Sequence, residues 1–182
     1  HVAALDGDFG ATSAAAALGD AATAVGCDVA DEDSVAAAFD QAVSWLGGLD
    51  GVVNSAGYTE FEHTVDYSLE RWNRLIGVVL TGTFLVNRTA IPHLLDSERE
   101  GVVVNVASIG GMRGKPWQAA YSAAKGGVIN LTRALATEYP NRIRFNCVAP
   151  GPVDNNISTN SGLTVPDGIS LEEFLAALDR RV

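Results

Sequence analysis

The chain has 182 residues, and its apolar fraction of 47% and charged fraction of 19% are ordinary for one globular domain with a substantial core. Its formal net charge of −10 argues against nucleic acids and anionic membrane surfaces as partners, and no uninterrupted apolar run is long enough to suggest a membrane span. Two cysteines and the absence of a recognisable secretory signal favour a cytoplasmic protein, and three histidines without metal-ligand spacing predict no metal site.

Five short apolar segments alternate with helix-like segments along the chain. The apolar segments are predicted to be strands, at residues 2–5, 23–29, 49–53, 102–107 and 142–148. Spacing and composition predict helices over residues 12–19, 31–46, 69–95, 121–139 and 171–178. Such alternation indicates crossover connections and a parallel sheet. We therefore predict one α/β domain over residues 1–182, with a doubly wound parallel sheet between two helical layers.

Residues of distinctive chemistry stand at the ends of these strands. Asp6, Asp28 and Asn54 mark the first three strand ends, and Ser108 and Pro150-Gly151 mark the last two. Ligands of open parallel sheets bind at the carboxyl ends of the strands, so these positions predict a ligand site. Three of these residues also have a plainer interpretation. Asp6 would belong to a turn, Asp28 would cap the following helix, and Ser108 would simply end its strand.

The helix after Ser108 carries a tyrosine and a lysine four residues apart, Tyr121 and Lys125. Residues at this spacing share one helical face, so the phenol and the ammonium address the same space. A cation beside a phenol lowers the pKa of the hydroxyl from about 10. Together with the serine, the pair is suited to binding a carbonyl oxygen and handling its proton. Taken alone, an interfacial tyrosine and a solvated lysine would be the plainer interpretation.

In their order and spacing, these residues resemble the short-chain dehydrogenase/reductase family over essentially the whole chain. The resemblance is carried by Asn54-Ser-Ala-Gly57, by Ser108 thirteen residues before Tyr121, by Tyr121-Ser-Ala-Ala-Lys125 and by Pro150-Gly151. It implies a Rossmann-like fold and an NAD(P)-dependent enzyme that interconverts alcohols with ketones or aldehydes. Tyr121 would then be the general acid or base. Lys125 would lower its pKa and hold the nicotinamide ribose, and Ser108 would bind the substrate oxygen.

The resemblance also implies which residues contact the cofactor. They are Asp6, Asp28, Val29, Asn54, Ala56, Gly57, Tyr121, Lys125, Pro150, Gly151 and Val153. Asp6 would accept hydrogen bonds from the adenosine ribose and would repel a 2′-phosphate. No lysine or arginine precedes Arg71, so no cation in this stretch offsets that repulsion. We therefore expect NAD(H) to be favoured over NADP(H).

The chain departs from the family pattern in three respects. The glycine-rich phosphate loop with its strand and the last strand have no counterpart here, so we expect a natural chain of roughly 250 residues. Val79 stands where the family often has an asparagine that holds a relay water, and Asn155 stands where it often has a threonine. Two alternatives therefore stay open. One is a dinucleotide-binding sensor or scaffold with impaired catalysis, and the other is a cofactor-free fragment that persists as a folded or partner-stabilised body.

The C-terminal segment and one helix surface give the remaining predictions. Residues 154–182 would cover a small-molecule alcohol or carbonyl substrate. Leu171, Phe174, Leu175 and Leu178 would form the apolar face of this cover, and Trp117 and Met112 would line the substrate pocket. The Gly126-Gly127 pair makes its helix narrow enough for close packing. Together with the long helix over residues 69–95, it suggests an interface between chains and therefore a homo-oligomer. By the resemblance this would be a tetramer, with a dimer as the alternative.

Overall fold

The computed structural model describes residues 1–7, 10–151, 153 and 165–179. Its strands are β1 (Val2–Asp6), β2 (Ala22–Gly26), β3 (Gly51–Asn54), β4 (Gly101–Val106) and β5 (Ile143–Val148). Its helices are α1 (Gly10–Leu18), α2 (Glu32–Leu46), α3 (Leu69–Ile76), α4 (Gly82–Asp96), α5 (Ile109–Met112), α6 (Ala119–Glu138) and α7 (Leu171–Asp179). A 3₁₀ turn (Gly19–Ala21) precedes β2, and a π-helical turn (Gly77–Thr81) joins α3 to α4.

Every strand pair is parallel, and the strands form two groups. β1 pairs with β2, while β4 lies between β3 and β5. Helices cross over between successive strands and pack on the sheets, and α2 also contacts α4. The predicted α/β fold with a parallel sheet and flanking helices is confirmed. All five predicted strands are present, with ends that shift by a few residues.

The largest shift is at β2, which ends at Gly26, three residues before the predicted end. The reason is a turn at Asp28, whose carboxylate accepts a hydrogen bond of 2.9 Å from the amide of Ala30. Asp31, and not Asp28, is the N-cap of α2, since its carboxylate accepts a hydrogen bond of 2.7 Å from the Ser34 amide. The interpretation of Asp28 as a helix cap is therefore wrong, and its side chain lies at the end of the sheet.

A cleft of about 1020 Å³ lies between β1 and β3, which are not hydrogen-bonded to each other. Its deep part is apolar and includes Leu5, Val52 and Phe39. Its rim consists of the segments that follow β1, β2 and β3. The family resemblance places an additional strand at this position. The cleft thus joins an apolar trough inside the sheet to a polar rim at the strand ends.

The stretch Leu69–Asp96 is one helical run of 28 residues, including the π-helical turn. By length and mean hydropathy, 1.4 over its most apolar window, it would suffice to cross a membrane, yet half of that window is buried within the protein. Leu75, Val79 and Ala90 on this run have no exposed surface. Burial of this kind is typical of a core helix, which explains how such an apolar sequence packs inside an α/β domain.

Helix α6 begins at Ala119, two residues before its predicted start, so Tyr121 lies in the first turn. Its two glycines face atoms of the same chain. A Cβ atom at Gly127 would lie 2.8 Å from the Leu80 side chain, and one at Gly126 would lie 3.3 Å from the Gly111 carbonyl oxygen. The glycine pair is therefore explained by packing within the chain, and the homo-oligomer stays a prediction on other grounds.

Candidate active site

Ser108 follows β4 and is the N-cap of α5. Its backbone is extended (φ −165°, ψ 154°), and its Oγ accepts a hydrogen bond of 3.0 Å from the amide of Gly110. The carbonyl of Pro150 accepts a hydrogen bond of 3.0 Å from the next amide, that of Ile109. The serine is therefore held on both sides, by its own short helix and by the segment that follows β5.

Ser108 and Tyr121 flank a common point beside Gly110. A Cβ atom at Gly110 would lie 3.4 Å from the serine Oγ and 3.6 Å from Cε1 of the tyrosine ring. The glycine leaves space between the two side chains, and both hydroxyl-bearing residues are less than half exposed. The structure thus brings together two of the three predicted catalytic residues.

The pKa of the Tyr121 hydroxyl is raised in the structure, whereas the sequence predicted that Lys125 would lower it. The side chain is 9% exposed, and this burial raises the pKa of Tyr121, while the Ser108 hydroxyl lowers it in part. Lys125 does not depress the phenol pKa here because its Nζ lies 5.8 Å from the ring centroid and donates elsewhere. The phenol is consequently a protonated group at neutral pH.

Lys125 lies one turn further along α6, with 5% of its surface exposed. Its Nζ donates a hydrogen bond of 2.7 Å to the backbone carbonyl of Val106, at the end of β4. Burial lowers the pKa of Lys125 from 10.5 to about 8. The carbonyl dipole compensates only part of the lost hydration, since no carboxylate among the described residues forms an ion pair with this ammonium.

Gly57 links these residues to the cleft. Its φ of +155° lies where L side chains are rarely found, and a Cβ atom there would lie 3.7 Å from Nζ of Lys125. The same glycine lines the cleft between β1 and β3. Gly57 therefore lies between the cleft and the predicted catalytic lysine, which itself is not a lining residue of the cleft.

The predicted cofactor residues divide into two sets in the structure. Six of them line the cleft, namely Asp6, Asp28, Val29, Asn54, Ala56 and Gly57. Pro150 and Gly151 lie instead beside α5, where a Cβ atom at Gly151 would approach the Ile109 side chain at 3.9 Å. Val153 is 59% exposed. Asn155, the expected substitute for a threonine, lies outside the described residues.

A buried cluster of amide side chains, which the sequence did not lead us to predict, holds the ends of two strands in place. Asn54 donates to Oδ1 of Asn105 at 2.8 Å, and Asn105 in turn donates to Oγ1 of Thr132 on α6 at 3.0 Å. Asn87 of α4 joins the cluster at 3.3 Å from both asparagines. The signal was present in the sequence, because Asn105 interrupts an apolar strand and is fully buried. The cluster ties β3 to β4, α4 and α6, and so positions the Asn54–Gly57 segment.

Val79 occupies the family's relay position, inside the π-helical turn. The side chain has no exposed surface, and it packs in a cluster with Leu75, Ala120, Tyr121 and Ala124. Its Cγ2 lies 3.5 Å from the Cβ position built on Gly57. An apolar side chain at this point offers no hydrogen bond to a water near Tyr121 or Lys125.

Helix α7 is attached near the site through three aromatic rings. Phe174 is fully buried, 5.0 Å from Phe61 in an edge-on contact and 5.4 Å from Trp117 in a stacked one. Leu171, which was predicted to belong to the apolar face of this helix, is 57% exposed. The side chains of Leu175 and Leu178, predicted for the same face, are outside the described part of the chain. Met112 is 71% exposed and lines neither the cleft nor the smaller pocket against α7, so its place in the substrate pocket stays a prediction.

Comparison with known proteins gives consistent findings. The model of a family described as short chain dehydrogenase matches residues 2–165. The inactive 2-(S)-hydroxypropyl-CoM dehydrogenase 2 of Xanthobacter autotrophicus is 46% identical over 144 residues, which are 79% of this chain and 62% of that protein. The 3beta-hydroxysteroid dehydrogenase 1 of Eggerthella lenta is 43% identical over 141 residues, which are 77% of this chain and 54% of that protein.

A solved structure shows the same similarity at the level of the fold. The crystal structure of NAD+-bound xylitol dehydrogenase matches with a TM-score of 0.77 and 32% sequence identity, covering 82% of this chain and 59% of that one. The chain therefore spans 62% or less of the length of each of these three proteins.

Proposed function

Because the chain belongs to the short-chain dehydrogenase family, we propose that the protein is an NAD(H)-dependent oxidoreductase that interconverts an alcohol with a ketone or aldehyde. The observation that carries the proposal is the meeting of two sites at Gly57. This glycine lines the cleft at the strand ends, and its Cβ position lies 3.7 Å from Nζ of Lys125. The rim of the cleft at the strand ends thus approaches the lysine that is proposed to act with Tyr121 in proton transfer.

The cleft rim has residues that fit a nicotinamide dinucleotide. Asp6 and Asp28 lie at the carboxyl ends of β1 and β2, where carboxylates suit ribose hydroxyls and the adenine edge. Asn54 and Gly57 bring backbone close to the catalytic end. When bound, the cofactor would supply or accept the hydride. The residues of the chain would hold the cofactor, orient the substrate oxygen and move the proton.

Tyr121 is proposed as the general acid of carbonyl reduction. The raised pKa keeps its hydroxyl protonated at neutral pH, so a proton is available for the alkoxide that forms. Ser108 donates a hydrogen bond to the same substrate oxygen, where negative charge develops. In the oxidation direction the phenol must first lose its proton. The rate of alcohol oxidation is therefore expected to rise with pH above neutrality.

The preference for NAD(H) is supported by the charges at the cleft. The residues that line the described cleft include Asp6 and Asp28 but no lysine or arginine. A 2′-phosphate near Asp6 would be repelled without a compensating cation. Titration of the natural full-length protein with NADH and NADPH, followed by nicotinamide fluorescence, tests this preference. We expect NADH to bind about tenfold or more tightly, and Asp6→Asn to narrow the ratio.

Asp20→Asn is the matched control for that titration, because Asp20 lies in the exposed 3₁₀ turn outside the cleft. Its NADH-to-NADPH ratio should equal that of the unmodified protein. Tight NADPH binding with weak NADH binding would contradict the role of Asp6. Absence of binding for both dinucleotides would contradict the proposed enzyme as a whole.

A second candidate function is dinucleotide binding with impaired catalysis, as in a sensor or scaffold. The buried Val79 favours it, since this side chain closes the usual relay position beside Tyr121. One relative carries the word inactive in its name. This candidate predicts tight NADH binding without turnover of any alcohol or ketone. Under the same candidate, Val79→Asn would restore turnover.

We further propose that the substrate of the enzyme is a small-molecule alcohol or carbonyl compound. The enzyme acts in the cytoplasm and has neither nucleic acid nor membrane as a partner. It forms a homo-oligomer, a dimer or tetramer. Exposed apolar side chains on the Leu69–Asp96 run, Leu69 (72%), Trp72 (36%) and Phe84 (42%), support an interface there. Light scattering of the full-length protein would measure the mass.

A further inference from the structure

A second pocket, of about 470 Å³, lies against the connection between Ser108 and Tyr121. One wall is the segment of residues 113–117, which begins directly after α5 and ends two residues before α6. The facing wall is Ile169 with α7, including Glu173. The volume is within the range of small-ligand sites, about 300–1,000 Å³. This wall is thus the connection between α5, which Ser108 caps, and α6, which carries Tyr121 in its first turn.

The pocket concentrates positive charge in an acidic protein. Arg113 and Lys115 both line it, although the chain as a whole carries a net charge of −10 and contains only two lysines. Arg113 has no carboxylate partner among the described residues. A half-buried arginine that forms no ion pair within the described part of the chain is suited to an external anion, because its guanidinium has five N–H donors.

The acidic residue of the pocket does not neutralise this arginine. Glu173 accepts hydrogen bonds of 2.7 Å from Oγ and 3.0 Å from the amide of Ser170, and its own amide donates to Ser170 Oγ at 3.2 Å. This is a capping box, and it begins α7. These bonds lower the pKa of Glu173 and hold its carboxylate toward Ser170. The glutamate therefore has a structural role of its own.

Trp117 gives the pocket a fixed aromatic wall. Its φ of +59° is rare for a bulky residue, and its carbonyl accepts a hydrogen bond of 2.9 Å from the Glu62 amide. The next residue, Gln118, donates to Thr59 at 2.8 Å inside the protein. The stacked ring of Phe174 covers the indole from the side of α7. These contacts hold the indole in one orientation at the wall of the pocket.

We propose that this pocket binds the anionic end of the substrate, a carboxylate or another oxyanion on a flat or apolar body. The oxyanion pairs with the Arg113 guanidinium in the field of Lys115, and the body lies along Trp117. The reacting carbon then extends along the same connection toward Ser108 and Tyr121. The inference rests on the proposed oxidoreductase function and adds a substrate class to it.

A matched pair of ketones tests the inference, 4-acetylbenzoate and its uncharged isostere 4-acetylbenzamide. Isothermal titration of the full-length protein measures the dissociation constant of each, independently of turnover. Reduction of each ketone by NADH gives the two KM values. We expect the carboxylate to be preferred by about tenfold, because a charged hydrogen bond at a partly exposed arginine has about this effect.

Arg113→Gln should reduce the preference ratio about tenfold, and Arg113→Lys should restore part of it. Arg133→Gln is the matched control, since Arg133 is an exposed arginine on α6 away from the pocket, and it should leave the ratio unchanged. Equal affinity for both ketones, or equal effects of Arg113→Gln and Arg133→Gln, would overturn the inference. Selective binding of the carboxylate without reduction of either ketone would support the pocket and contradict the proposed function.

Discussion

Replacement of Gly111 by alanine should separate α5 from α6, the two helices at which the proposed catalytic residues lie. Gly111 lies in α5, behind Ser108, and faces the backbone of α6 at Lys125. An added Cβ would lie 2.5 Å from the Lys125 carbonyl carbon, 2.6 Å from the Gly126 nitrogen and 2.7 Å from the Lys125 oxygen. All three are backbone atoms, so no side chain can rotate away. The φ of Gly111 is not positive, and the effect is therefore purely steric.

The size of the effect follows from these distances. The shortest contact is about 0.9 Å below the 3.4 Å at which ordinary van der Waals contact begins, so α5 and α6 must move apart by a similar distance. Overpacking of this kind costs about 1–3 kcal/mol of unfolding free energy. A displacement near 1 Å between catalytic groups lowers turnover by about 100-fold. We expect Gly111→Ala to show both losses.

The assay combines urea unfolding with ketone reduction by NADH. Gly114→Ala is the matched control, since its Cβ would meet no atom within 4 Å and its φ is not positive. The control should unfold within about 0.5 kcal/mol of the unmodified protein. If Gly111→Ala unfolded like Gly114→Ala, the close approach of α5 and α6 would be refuted.

Three other predictions follow from buried groups. Burial lowers the pKa of Lys125 from 10.5 to about 8, so between these values the unfolded chain binds a proton that the folded chain lacks. Stability due to this group is therefore greatest above pH 10.5 and falls by about 3 kcal/mol as the pH drops to 8. Lys125→Met should remove this dependence of the unfolding free energy on pH. The difference in unfolding free energy between variant and parent should therefore be largest at neutral pH and shrink toward pH 10.5. A difference that stays constant with pH would contradict this prediction. Asn105→Leu leaves Asn54 and Thr132 without their buried partner and should cost about 2–4 kcal/mol in urea unfolding, whereas exposed Asn130→Leu should cost less than about 0.5 kcal/mol. Phe174→Ala removes the ring between Phe61 and Trp117 and should expose α7 to limited proteolysis, while Leu171→Ala, 57% exposed on the same helix, should not.

The sequence was sufficient to predict the fold class and the common helix of Tyr121 and Lys125, because both depend on local patterns. Alternation of apolar strands and helices fixed the parallel sheet, and the four-residue spacing placed Tyr121 and Lys125 on one face of α6. Hydrogen-bond partners could not be predicted, since they depend on distant segments. Lys125 was expected to act on the phenol, yet its Nζ bonds to Val106 on β4, and burial raises the pKa of Tyr121.

The sequence likewise did not predict which helices approach each other closely. The Gly126-Gly127 pair suggested an interface between chains, but the atoms nearest to an added Cβ there belong to Leu80 and Gly111 of the same chain. The polar cluster around Asn105 joins four elements that lie far apart in the sequence. A polar residue within an apolar strand indicates that its side chain is buried and hydrogen-bonded. Only the folded structure shows which residues it bonds to.

The most direct test of the catalytic site is NADH-dependent ketone reduction by Tyr121→Phe in the full-length protein, with NADH affinity measured in parallel. Tyr139→Phe is the matched control, a tyrosine at the other end of α6 and outside the site. We predict that Tyr121→Phe retains NADH affinity and loses turnover by about 100-fold or more, while the control keeps both. Full turnover by Tyr121→Phe would contradict the role of the phenol as the proton donor.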